Sequence, residues 1–123
     1  MPITRIALRA GKPAEYRKAV SDSIQRALVA TVNVPKDDIF MSINEYDASN
    51  FIYDNQYLGV ERTDDLVIVQ ITVNNTRTLE QKKTLYKRMV ESPGLRREDV
   101  LINLVDVLKE NWSFGNEVAH YAL

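Results

Sequence analysis

Apolar and polar positions along the chain switch between two periods, and the switches divide it into elements. Met1-Pro2-Ile3-Thr4-Arg5-Ile6-Ala7-Leu8-Arg9-Ala10 mixes Ile3, Ile6 and Leu8 with Thr4, Arg5 and Arg9. It predicts a strand that begins at once. Gly11-Lys12-Pro13 breaks the pattern, and Pro13 with Glu15 suits the first turn of a helix. Tyr16, Val20, Ile24, Ala27, Leu28 and Thr31 then fall three or four residues apart as one amphipathic stripe, with Lys18, Asp22 and Arg26 on the wet side. Asn33-Val34-Pro35-Lys36 closes the helix, because proline cannot continue it. Asp37-Asp38 leads into a second strand over 39–46, Ile39-Phe40-Met41-Ser42-Ile43-Asn44-Glu45-Tyr46. The resulting strand-helix-strand unit implies parallel strands with a right-handed crossover.

Residues 47–65 hold only short apolar pieces, around Phe51-Ile52-Tyr53 and Tyr57-Leu58-Gly59-Val60, and predict a loop with a small hairpin or short extended pieces. Leu66-Val67-Ile68-Val69-Gln70-Ile71-Thr72-Val73 is nearly continuous in apolar residues, as suits a parallel strand buried on both faces. Thr78 and Gln81 have the spacing of a capping box. They open a second amphipathic helix through Leu79, Leu85, Tyr86, Met89 and Val90, stopped by Pro93-Gly94. A fourth strand runs over 99–107. The halves resemble each other: Lys12-Pro13-Ala14-Glu15-Tyr16-Arg17-Lys18 aligns with Arg77-Thr78-Leu79-Glu80-Gln81-Lys82-Lys83, and Val34-Pro35-Lys36-Asp37-Asp38-Ile39 with Leu95-Arg96-Arg97-Glu98-Asp99-Val100. The fold class expected is therefore α/β (α+β): two βαβ units, residues 2–46 and 66–107, about a pseudo-two-fold axis. The sheet would have four strands, with two helices on one face. A tail, residues 108–123, completes a single domain of residues 1–123.

Composition narrows the chemistry. The 123 residues are 45% hydrophobic, with sixteen basic against seventeen acidic side chains, a balance that gives no sign of nucleic acid or a membrane surface as partner. Without cysteine there are no disulfides and no thiolate metal sites, and a single histidine, His120, argues against a His-based metal cluster or a Ser-His triad. No apolar run has the length of a signal peptide or a membrane span. A cytoplasmic protein with no cofactor is the simplest expectation.

The candidate chemistry sits at the first strand. Removal of the initiator Met, usual before so small a residue, would leave Pro2 as a free secondary amine. A model α-amino group titrates near pH ~8, so a modest downward shift makes it a usable base around neutrality. Held at the start of a buried strand, it would also be well positioned. The plainer possibility is a strand-leading proline, which sheets tolerate. At the offset of the first alignment Pro2 matches Val67, so only one of the two units can carry this chemistry.

Two βαβ units led by a proline resemble the tautomerase superfamily, and the detail resembles its malonate semialdehyde decarboxylase group. The segments that carry the likeness are Val34-Pro35-Lys36-Asp37-Asp38, Leu58-Gly59-Val60-Glu61-Arg62-Thr63, Arg77-Thr78-Leu79-Glu80-Gln81-Lys82-Lys83, Gly94-Leu95-Arg96-Arg97-Glu98-Asp99-Val100 and Trp112-Ser113-Phe114-Gly115. The resemblance implies a tautomerase (MIF-like) fold and a homotrimer. It makes Pro2 the catalytic amine and Asp38 the family's catalytic aspartate. It makes Arg77 the second of two arginines that hold the substrate carboxylate. The first arginine falls on Asn75, which is the main departure. Trp112, Phe114 and Tyr121 match the aromatic wall of the pocket.

Physical chemistry supports these roles. An arginine beside a proline amine clamps a carboxylate and lowers the amine's pKa by repulsion, whereas an aspartate pulls it the other way. An aromatic wall excludes water and strengthens the charge contacts within. Decarboxylation of a 3-oxo acid in this group is understood to use a protonated proline and two arginines, and Asn75 removes one guanidinium with its fork geometry. One arginine still suits keto-enol tautomerisation or hydration of an unsaturated oxo acid, with a neutral proline as base. The expectation is an enzyme of this superfamily acting on a small oxo acid; the alternative is a non-catalytic homotrimer of the same fold that binds a ligand or partner. Each residue also has a plainer role: Asp38 as a turn residue, Arg77 as a solvated residue before a helix, Trp112 and Phe114 as packing, and His120 as a surface histidine near a loose tail.

Overall fold

The structure is a computed structural model that describes residues 2–91 and 95–122. Strand β1 runs from Ile3 to Arg9, directly after Pro2. Pro13 lies just outside helix α1, Ala14–Val32, and accepts from the amides of Tyr16 and Arg17. Val20, Ser23, Ile24, Ala27, Leu28 and Val32 form its buried stripe. The helix ends before the proline expected to stop it: Asn33 adopts the left-handed conformation at φ 60°, which asparagine tolerates well, and its amide reaches back to the Leu28 carbonyl. Strand β2, Met41–Tyr46, is parallel to β1, with Thr4 opposite Met41.

Strand β3, Val67–Asn74, lies antiparallel to β1 and parallel to strand β4, Val100–Val107. The sheet order is β2-β1-β3-β4. β3 is thus parallel to one neighbour only, and its burial alternates within the subunit, so the expectation of a parallel strand covered on both faces is corrected on both counts. Between β3 and β4, helix α2, Leu79–Met89, opens with the expected capping box: the Gln81 amide donates to Thr78 Oγ1 and the Thr78 amide to Gln81 Oε1. Of its expected stripe only Leu85 and Met89 are buried, and Leu79 is exposed. The stop at Pro93-Gly94 lies outside the described residues.

Both helices pack on one face. Ile6 and Leu8 of β1 and Val67, Val69, Ile71 and Val73 of β3 meet α1 and α2 in one core. Burying each such side chain stabilises the fold by about 1.5–3 kcal/mol. The other face is mixed: Ile3, Ala7, Ile68, Leu101 and Val105 flank a polar row in which Arg5 donates to Gln70 (3.5 Å) and Gln70 to Asn103 (3.2 Å).

Residues 47–65 pair with no strand among the described residues; in place of the expected hairpin or extended pieces they make two short 3-10 turns, Ala48–Asn50 and Tyr57–Gly59. Side chains fix this loop. The buried Asp99 carboxylate accepts from the Thr63 amide at 2.7 Å and the Thr63 hydroxyl at 2.6 Å, and Arg62 donates to the carbonyls of Tyr57 and Val60.

Candidate active site

Strand direction decides where the expected site residues meet. β1 and β2 begin at the same end of the sheet at which β3 and β4 finish, because the two βαβ units run antiparallel to each other. Pro2 precedes β1, Asp38 precedes β2, Arg77 follows β3, and the tail with Trp112, Phe114 and Tyr121 follows β4. Residues scattered over the whole chain thus share one end of the sheet.

Pro2 is fully buried. Extending the register by two residues from Thr4 sets it opposite Ile39 on β2's side, and by the same count opposite Val73 on β3. Asp38 closes a turn in which its amide donates to the Pro35 carbonyl at 3.0 Å. Its Oδ1 is buried with no hydrogen-bond partner among the described residues. A carboxylate oxygen taken from water without a partner is costly, so a turn role alone does not account for it.

Arg77 is half-buried and is neither free nor fully solvated. Its Nη2 donates to the Val32 carbonyl at 3.2 Å, at the carbonyl end of α1, where positive charge is favoured. Asn75 is exposed, and its amide ties the end of β3 to β4 through the Val107 carbonyl at 3.0 Å.

The tail is ordered by aromatic contacts, against the expectation that His120 lies near a loose tail. Trp112 is buried and stacks on Phe114 at 5.3 Å, while Tyr121 meets Phe114 edge-on at 5.2 Å. Those contacts join the three expected wall residues. Sequence reasoning missed three more participants. Phe40 lies 6.5 Å from Phe114 and brings the start of β2 into the wall. Asn74 accepts the Trp112 indole N–H. His120 Nδ1 accepts the Phe114 amide at 3.2 Å, which requires that nitrogen unprotonated. His120 had a possible signal as the sole histidine; the other two depend on pairings that no local pattern marks.

A cavity of about 750 Å³ lined by Tyr86, Val90 and Val100 among others lies away from these residues, and one of about 580 Å³ runs along α1 past Gln25 to Lys36, Asp37 and Ile39, the neighbours of Asp38. A depression of about 450 Å³ lined by Ile3, Ile39, Phe40, Met41 and Ser42 borders the end at which the site residues gather. Among the described residues no group of three or more His, Cys, Asp or Glu could hold a metal ion, and no helix is long and apolar enough to cross a membrane.

Two βαβ units about a pseudo-two-fold, with a buried proline and an aromatic tail at one end, define a tautomerase-type domain. The chain belongs to the tautomerase family: models described as tautomerase enzyme match residues 38–115 and 2–61. It is 42% identical over 120 residues to the probable tautomerase YusQ of Bacillus subtilis (strain 168), covering 94% of each chain. The crystal structure of FG41 malonate semialdehyde decarboxylase inhibited by 3-bromopropiolate matches with a TM-score of 0.89 and 30% identity, over 97% of this chain and 93% of that one. A wild-type fused 4-OT symmetric trimer shares the fold, with a TM-score of 0.77, 20% identity and 98% of each chain covered. Within the family the chain falls in the malonate semialdehyde decarboxylase-like group.

Proposed function

We propose that this chain is an amino-terminal-proline enzyme that works as a homotrimer on a small oxo acid, with Pro2, Asp38 and Arg77 as catalytic residues. The observation that carries the reading is the gathering at one sheet end of a buried Pro2, an Asp38 carboxylate with an unpartnered oxygen, and an aromatic wall. Kinship with a decarboxylase inhibited by 3-bromopropiolate, itself a small carboxylate, supports the substrate class. Kinship with a trimer supports the assembly, which would cover the mixed outer sheet face.

Once Met1 is removed, the Pro2 nitrogen is a secondary amine. In its neutral form it takes the hydroxyl proton of an enol and returns a proton at carbon, which leaves the ketone and the free amine. Asp38 stabilises the transient ammonium, and Arg77 with Asn75 holds the substrate carboxylate. Trp112, Phe114 and Tyr121 keep water out. With one guanidinium in the clamp, tautomerisation or hydration is favoured over decarboxylation of a malonate semialdehyde-like acid. Asn75, together with the engagement of Arg77 by the Val32 carbonyl, also favours one second reading: a non-catalytic trimer that binds a ligand or partner.

The test is chemical. Met-free protein should tautomerise a test enol such as phenylpyruvate enol, and Pro2→Ala should slow it about a hundredfold or more, the usual worth of a positioned proton-transfer group. A retained Met turns the amine into a non-basic amide and should abolish turnover. Equal rates from Met-blocked and processed protein, or no activity from either, would overturn the catalytic reading.

A further inference from the structure

The turn that carries Asp38 is held from outside by one side chain. Gln25 stands on α1 between Ile24, which is buried in the core, and the exposed Arg26. Its Nε2 donates to the Asp38 carbonyl at 3.2 Å and to the Lys36 carbonyl at 3.4 Å. A primary amide has two N–H groups, and two carbonyls two residues apart use both. Since both partners can only accept, the nitrogen end of the amide must face the turn. The Asp38 amide is fixed from the other side by the Pro35 carbonyl at 3.0 Å. Both peptide groups of Asp38 are therefore anchored, and the direction of its Cα–Cβ bond is set. That bond carries the carboxylate whose Oδ1 is buried without a partner among the described residues.

We propose that Gln25 is a positioning residue for Asp38: it staples the 35–38 turn to a helix locked in the core and so aims the carboxylate at the Pro2 nitrogen. The proposal rests on the role given to Asp38 above. Rigid mounting matters because the charge interaction falls with distance, and a misplacement of about 1 Å at a reacting centre costs up to about a hundredfold in rate. α1 supplies the rigidity, with Ile24 and Leu28 at most 2% exposed on either side of Gln25.

A double-mutant cycle on Met-free protein tests it, with phenylpyruvate enol as substrate. Gln25→Met keeps length and flexibility but loses both donors. It should lower kcat about tenfold with KM changed less than about twofold. It should also weaken hydrogen-exchange protection of the Asp38 amide. Gln25→Lys, whose ammonium can donate to both carbonyls, should recover most of the rate. In an Asp38→Asn background Gln25→Met should cost less than about twofold, since the group it positions is already gone. An equal loss in both backgrounds means Gln25 only supports the fold, unchanged protection of the Asp38 amide means it does not hold the turn, and either overturns the proposal. An unaffected kcat in Gln25→Met, while Asp38→Asn alone slows the reaction, overturns it and leaves Asp38's role standing. If Asp38→Asn alone has no effect, the role of Asp38 fails and the proposal goes with it.

Discussion

The Trp112 indole nitrogen donates to Asn74 Oδ1 at 2.7 Å, and both side chains are buried. The bond joins the last residue of β3 to a tail residue 38 positions away and fixes the aromatic wall through the Trp112–Phe114 stack. Asn74→Leu leaves the indole N–H buried without an acceptor, which should lower stability by about 1–3 kcal/mol. Trp112 is the only tryptophan, so its fluorescence in a denaturant titration reads the change directly. An unchanged midpoint would mean that the tail docks without this bond.

Arg77 has two duties in prospect. Arg77→Ala removes its bond to the Val32 carbonyl, worth about 1 kcal/mol of stability. If the guanidinium also clamps the substrate, turnover of carboxylate substrates should fall roughly ten- to a thousandfold. Steady-state kinetics beside a melting curve separate the two, and a stability loss with intact kinetics leaves Arg77 as a helix cap only.

Asn75 is exposed and, among the described residues, bonds β4 through its backbone alone, so its side chain can change without disturbing the sheet. Asn75→Arg restores a second guanidinium and should raise decarboxylation of malonate semialdehyde. Wild-type turnover of that acid on the order of 10 per second would show that one arginine is enough.

The outer sheet face and the free edges of β2 and β4 are left uncovered by the helices. Exposed edges and half-apolar faces are ordinarily covered, and a trimer would cover both. Sedimentation should report three subunits per particle at micromolar concentration; a stable monomer would sink the assembly and a site built within it.

One ionisation should be visible away from the site. The Tyr53 hydroxyl donates to Asp64 Oδ1 at 2.7 Å, and this bond, helped by the Arg9 charge, holds the Asp64 carboxyl below its usual range. The same bond pushes the Tyr53 hydroxyl up. A depressed folded-state pKa contributes stability that is present above the ordinary carboxylate value, near 4, and is lost as pH falls through the folded value. Tyr53→Phe should move the Asp64 titration upward in carboxyl-detected NMR. No movement would assign the shift to Arg9.

Short-range order was legible in the sequence. The period-two mixture at β1, the stripe of α1 and the Thr78–Gln81 box each depend on residues within a few turns of one another. The doubled βαβ pattern also named the fold, because each unit had to bury its apolar face on the other. The stop expected over Asn33-Val34-Pro35-Lys36 falls within that segment, with the left-handed Asn33 capping the helix two residues before Pro35.

By itself the sequence determined which segments are strands and helices, that two units pair, and which residue types could act: a proline behind Met1, one aspartate, one arginine and a set of aromatics. Tertiary structure alone decided where they lie relative to one another. Pairing β1 antiparallel to β3 brought two strand starts and two strand ends to the same end of the sheet, a choice that no periodicity encodes. Residues 47–65 form no strand among the described residues, and the end of that loop is held at Thr63 by Asp99, 36 positions away. Arg77 found the Val32 carbonyl across 45 positions, and Gln25 found a turn that is its neighbour only once α1 has packed. These contacts follow from which surfaces the core brings together, and that depends on every buried residue at once.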